Sequence, residues 1–272
     1  MRKKLPTIIL LLVFAVGLSL LLYPTFSDYW NSLHQTRAIV EYAESVADLD
    51  TEAYAAMLEA ARDYNQKLAA SGTHWTLTDE ELEEYNQLLC ATSTGIMGYV
   101  SIPKISVTLP IYHGTSDAVL QKGAGHLEGS SLPVGGESTH AVLSSHRGLV
   151  SAKLFTDLDQ LALGDLFTIT VLNETLSYEV DQILIVLPTE LDSLTVEPGK
   201  DYCTLVTCTP YGVNTHRLLV RGHRVITEDA ETVVVTGDAI QLESSVIAPL
   251  VAVPILIILL IVLLAATRKR KR

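Results

Sequence analysis

Thr204-Leu205-Val206-Thr207-Cys208-Thr209-Pro210, then Tyr211-Gly212, with Arg217 nine residues after the cysteine, reads as strand, turn and returning strand. β-Branched and apolar residues carry the run as far as Cys208, and Pro-Tyr-Gly ends it. One cysteine is thereby delivered to a strand tip. A thiol so placed can be half exposed and polarised, as a nucleophile requires. An arginine brought back beside it can stabilise a developing oxyanion. Taken alone, a strand arginine is more often a surface charge.

Working outward, the apolar period is two from Gly98 onward. Short β-type runs at 99–102, 107–111, 139–144, 166–171, 176–185, 201–207 and 217–225 are separated by Gly, Pro, Asp or Asn. Seven or eight strands at this spacing predict a closed or nearly closed barrel. Upstream, 24–97 is helical in character, with Ile39, Tyr42, Ala43 and Val46 at helical spacing. Asp50 or Thr51 is placed to cap a second helix over Tyr54, Leu58, Ala61 and Leu68. Residues 72–78 interrupt it, and Thr78 with Asp79-Glu80-Glu81 starts a third.

A nucleophilic thiol needs an acid/base partner. His146, in Val142-Leu143-Ser144-Ser145-His146-Arg147-Gly148, again stands at the end of a β run just before a turn. His140, six residues upstream with the same strand parity, reads as a deeper, hydrogen-bonded structural residue. His126 lies in a glycine-rich loop, Gly123-Ala124-Gly125-His126-Leu127-Glu128-Gly129, and no role follows for it. His113, His216 and His223 read as solvated or structural. Of three cysteines, Cys90, Cys203 and Cys208, the last two differ by an odd number and face opposite sides of one strand. They cannot pair, and Cys203 reads as a small core residue. No His-x-x-x-His or Cys-x-x-Cys spacing occurs, so neither metal nor cofactor is expected.

The Thr-Leu-Val-Thr-Cys run with Arg217 resembles the signature of sortases, the cysteine transpeptidases of Gram-positive cell surfaces. Leu143–His146 with Arg147-Gly148 is similar to the histidine stretch of that family. Residues 209–224, 61–65, 98–105 and 153–159 extend the resemblance, in particular to the pilus-building class C members. The resemblance implies an eight-stranded barrel, mainly β, with N-terminal helices. It also implies three roles: Cys208 as thiolate forms a thioester, His146 shuttles the proton, and Arg217 steadies the oxyanion or the substrate backbone. The substrate implied is a Leu-Pro-x-Thr-Gly-like sorting signal on a surface protein or pilin subunit. A pilin lysine amine would resolve the thioester. Anchoring to the cell-wall peptide, and an inactive membrane-bound binding or scaffold protein, are the alternatives. Class C members carry an Asp-Pro-aromatic lid, whereas this chain has Thr73-His74-Trp75. The aromatic remains and the acid is missing, so any closure is expected to rest on Trp75. The plainer reading of Trp75 is a core anchor.

Two apolar runs and the charge pattern set the expected topology. Residues 8–23 follow Arg2-Lys3-Lys4, and the uncharged 246–267 precede Arg268-Lys269-Arg270-Lys271-Arg272. The first reads as an uncleaved signal anchor, with a removed signal peptide as the alternative. Eight of the 19 Lys and Arg lie in these tails, leaving 11 basic against 31 acidic residues between them, a net of −20. By the positive-inside rule both tails are cytoplasmic and the large segment lies outside. An acidic domain of this kind is a poor nucleic-acid binder. The organisation expected is thus a tail (1–7), an anchor (8–23), a helical region with a candidate lid (24–97) and a catalytic barrel (98–225). A stalk (226–245), a transmembrane helix (246–267) and a basic tail (268–272) follow, so that a transmembrane helix stands at each end.

Overall fold

The computed structural model describes residues 5–226 and seven helical positions between 253 and 261. These residues of the main segment fall into two compact units, one of 5–31 with 150–152, the other of 32–149 with 153–226. In the first unit, the apolar start of helix α1 (Leu5–Ala47) is exposed, with a mean hydropathy of 2.4 over its best 18 residues. The helix continues through Pro24. It is long and apolar enough to cross a membrane. The expected second span is described only at those seven positions, and the stalk beyond Ile226 and the basic C-terminal tail lie outside the described residues.

In the second unit the helices stop and start where the capping chemistry puts them. Asp50 caps α2 (Thr51–Ser71), its Oδ1 accepting from the Ala53 amide at 2.7 Å. Leu58, Ala61, Asn65 and Leu68 form its buried face. Helix α3 (Asp79–Gln87) opens on a capping box between Thr78 and Glu81. The buried end of α1 is tied down by Tyr42, whose hydroxyl donates to the Met97 carbonyl (2.9 Å) and accepts from the Leu172 amide (2.7 Å). Asn65 holds α2 to the barrel in the same way, bonding both the amide (2.7 Å) and the carbonyl (3.0 Å) of Leu132.

The strands are β1 (Ile96–Ile102), β2 (Val107–His113), β3 (Ala124–His126), β4 (Thr139–Ser144), β5 (Leu166–Val171), β6 (Glu174–Val186), β7 (Asp201–Thr209) and β8 (His216–Val225). A one-turn helix α4 (Asp117–Leu120) leads into β3. They close a barrel in the order β1-β2-β3-β4-β7-β8-β6-β5. The pairs β2–β3 and β4–β7 are parallel and the rest antiparallel. Ile102, Ile111, Leu143, Phe167, Tyr178, Leu205 and Val220 fill the interior with no exposed surface. The eighth strand, β3, was not legible as a strand. It is three residues long, follows Gly123 and has Gly125 at its centre, so no period of two can be read from it.

Candidate active site

The parallel pairing of β4 with β7 and the antiparallel pairing of β7 with β8 assemble the site. Cys208 and Arg217 are direct cross-strand partners. On the other side, Ser144 pairs with Val206 at the end of the β4–β7 ladder. The ladder then runs one step further: the Ser145 amide donates to the Val206 carbonyl (3.1 Å), and the Thr207 hydroxyl donates to the Ser145 carbonyl (2.8 Å). His146, just past the end of β4, and Cys208, still within β7, therefore stand at equivalent positions, two residues beyond the last pair of the β4–β7 ladder. All three side chains are half-buried. The Arg217 guanidinium donates to the carbonyls of Asn214 (3.4 Å) and His216 (3.2 Å). Among the described residues no carboxylate pairs with it, so its other N–H groups remain available to a substrate oxygen.

The face that carries Cys208 is apolar below the thiol. Val142, Val206, Leu219 and Leu194 form a buried cluster, with Trp75, Leu127, Leu184, Val186 and Leu191 packed against it. Trp75 thus lies on the same sheet face as the thiol. Its neighbours are pinned: the Thr73 hydroxyl accepts from the Val196 amide (3.1 Å), and His74 Nε2 lies 3.3 Å from Glu81 Oε1. Gly129 has φ +83°, and a Cβ there would sit 2.3 Å from the His74 carbonyl oxygen. The segment 73–75 can lie this close to the barrel because position 129 has no side chain.

The remaining cysteines and histidines occupy other environments. Cys203 is fully buried inside the barrel, opposite in face to Cys208, and burial pushes its thiol well above the usual range. Burial also raises Cys90, which donates to the Asn86 carbonyl. His140 is buried, with Nδ1 2.9 Å from the Thr195 carbonyl and Nε2 2.7 Å from Thr204 Oγ1. His113 is likewise structural, its two nitrogens facing the Gly95 and Leu88 carbonyls. Arg221, which shares parity with Arg217, is consumed by a fork to Asp181 at 3.0 and 3.1 Å.

His126 corrects the reading of 123–129 as a loop without a role. It ends β3, has no exposed surface, and lies between Tyr85 and the Ser131 carbonyl, with Nδ1 3.0 Å from the tyrosine hydroxyl and Nε2 2.8 Å from the carbonyl. Its distance in sequence from Tyr85 hid this from any local reading. Burial lowers its pKa from 6.5 to about 4. A depressed folded pKa means that the unfolded chain binds the proton first. Stability from this group is present above about pH 6.5 and is lost as pH falls toward about 4. We expect a thermal midpoint that declines across that window, by on the order of 3 kcal/mol in stability. A midpoint unchanged from pH 7 to 4 would contradict the buried neutral imidazole.

Comparison with known proteins agrees with this geometry. The sortase domain family matches residues 100–225. The chain is 31% identical over 182 residues to sortase D of Bacillus subtilis, covering 65% of this chain and 87% of that protein. A shorter match, 32% over 117 residues, is to a sortase A of Streptococcus agalactiae, covering 42% of this chain and 47% of that protein. Among solved structures, sortase C1 of Streptococcus agalactiae is 56% identical with a TM-score of 0.69, over 71% of this chain and 100% of that one. Clostridium perfringens sortase C, solved with the C-terminal cell wall sorting motif, is 44% identical with a TM-score of 0.62, over 70% of this chain and 99% of that one. A closed barrel with these relatives makes the chain a member of the sortase family, the cysteine transpeptidases, with class C sortases among its structural neighbours.

Proposed function

We propose that this chain is a membrane-anchored transpeptidase that cleaves a Leu-Pro-x-Thr-Gly-like sorting signal and joins the acyl group to a pilin lysine amine. Direct register of Cys208 with Arg217, beside the strand end that carries His146, is the observation that supports it most. The Cys208 thiolate attacks the scissile carbonyl, and Arg217 donates hydrogen bonds to the oxygen as charge develops. The C–N bond breaks, His146 gives its proton to the leaving amine, and a thioester remains. The acceptor amine then attacks that thioester, His146 takes up the proton, and the C–S bond breaks. The apolar cluster around Val142, Val206 and Leu219 is suited to the apolar residues of such a signal. Helix α1 serves as the anchor, with a second span at 246–267 and both basic tails on the cytoplasmic side.

The full chain in detergent, incubated with sorting peptides and then digested, tests the acyl step by mass spectrometry. An acyl adduct on the peptide containing Cys208 is expected. Offering a pilin lysine peptide or a cell-wall peptide amine then separates polymerisation from anchoring. No adduct with any sorting peptide would overturn the proposal.

Thr73, His74 and Trp75 act in this reading as a lid over the apolar cluster below Cys208, held by Trp75 in place of an acid. A half-buried aromatic contributes about 1 kcal/mol, part of the 1.5–3 kcal/mol of full burial. Trp75→Ala should therefore raise the rate of Cys208 modification by a thiol reagent by roughly fivefold, through a larger open population. His74→Asp should change it less, since His74 faces Glu81 at the surface. Unchanged thiol reactivity in folded Trp75→Ala would leave Trp75 a core anchor only.

A further inference from the structure

We infer that Arg147 is a positioning residue that holds His146 against Cys208, an inference that rests on the active-site reading above. The β4–β7 ladder orders the two strands only as far as Ser145 and Thr207. Beyond it β4 gives way to a loop at His146, while β7 runs on to Thr209 paired with β8 alone, and the reacting side chains stand at that exit from the ladder. Proton transfer needs heavy atoms within hydrogen-bond reach, and a misplacement of about 1 Å can cost about a hundredfold in rate. Something must hold the exit closed.

Arg147 supplies the next cross-link. Its Nη1 donates to Thr209 Oγ1 at 3.3 Å, joining the residue after His146 to the residue after Cys208. The pair is thus bracketed, by Thr207 and Ser145 on one side and by Arg147 and Thr209 on the other. Nη2 pairs with Asp159 Oδ2 in the 3-10 turn Leu158–Gln160, which fixes the far end of the guanidinium. Its Cζ lies 6.0 Å from the centroid of the Tyr211 ring, in the loop that follows Cys208. Gly148 has φ +77°, and a Cβ there would come within 3.0 Å of that ring, so Tyr211 packs against bare backbone.

A solvated loop arginine would look different. The Arg147 side chain is only 9% exposed, and its Nε is buried with no hydrogen-bond partner among the described residues. The planar fork meets two partners at once, a geometry the point charge of lysine cannot reproduce. Arg147 touches neither reacting atom, so it acts through the placement of its neighbour.

The test uses the full chain in detergent, with Arg147→Lys, Thr209→Val and the double variant. Four quantities are read: kcat and KM for a sorting peptide, the pH dependence of Cys208 alkylation, and the thermal midpoint. Arg147→Lys is expected to lower kcat by about ten- to a hundredfold. Its KM should stay within about twofold and its alkylation profile should shift along the pH axis while the fold is kept. Thr209→Val should move kcat and profile in the same direction by less, and the double variant should be no worse than Arg147→Lys. A folded Arg147→Lys with wild-type kcat and alkylation profile overturns the inference, as does a double variant whose losses multiply. Should Arg147→Lys fail to fold, Thr209→Val decides alone, because it removes only the hydroxyl. Cys208→Ala separates the two levels. If it still cleaves, the active-site reading falls; if it is dead while Arg147→Lys and Thr209→Val behave as wild type, only the positioning role falls.

Discussion

Cys208→Ala should abolish sorting-signal cleavage, by at least about 10⁴-fold, whereas Cys203→Ala and Cys90→Ala should keep most of it. The reason is the placement of the three thiols. Cys208 stands at the end of β7, half-buried and opposite Arg217. Cys203 is sealed in the barrel interior, where desolvation opposes the thiolate. Cys90 lies beyond α3 and spends its proton on the Asn86 carbonyl. Cys203→Ala removes a small buried side chain, so it should cost some stability without touching chemistry. Peptide cleavage followed by chromatography checks all three variants, with circular dichroism as the control for folding. Cleavage retained by Cys208→Ala would remove the nucleophile from the mechanism.

Replacing His146 or Arg217 by Ala should each cost on the order of a hundredfold or more in kcat/KM, since in the proposed mechanism one loses the proton shuttle and the other an oxyanion donor. The contrast is His140→Ala. That ring is buried and bonded on both sides, to Thr195 and Thr204, so its loss strands two polar groups. It should lower stability by roughly 2–4 kcal/mol while the folded fraction keeps its activity. Arg221→Ala makes the matching control for Arg217, because its guanidinium is already committed to Asp181. Steady-state kinetics together with a thermal midpoint separate the two kinds of loss. A folded but dead His140→Ala beside an active His146→Ala would show that the wrong histidine had been assigned.

Several elements were legible because their causes are local. The Asp50 and Thr78 caps depend on a few consecutive residues, and the structure places α2 and α3 directly after them. The period of two located seven strands, and the parity of Cys203 and Cys208 follows from strand geometry alone. The short β3, the burial of His126 and the enclosure of Arg147 were not legible. Each depends on a partner that no local pattern announces: Tyr85 for His126, and Asp159, Thr209 and Tyr211 for Arg147. Burial turns such residues from surface charges into fixed parts of the fold, and burial is a property of packing.

Taken by itself, the sequence determined a thiol at a strand tip, an arginine on the returning strand, a histidine at the end of another strand and an acidic segment between two basic tails. The Cys208–Arg217 pairing follows from one hairpin, whose register is set over a few residues. Bringing His146 beside Cys208 is of a different kind. Periodicity shows that β4 and β7 exist, but not that they lie side by side and parallel. Only the closed strand order sets that, joining chain segments about sixty residues apart through a ladder that neither segment specifies alone. The same closure brings Arg147 to Thr209 and leaves Trp75 on the face of the thiol. Residue chemistry was therefore readable from the chain, while its convergence was decided by the barrel, because pairing between distant strands is chosen by the packing of the whole core.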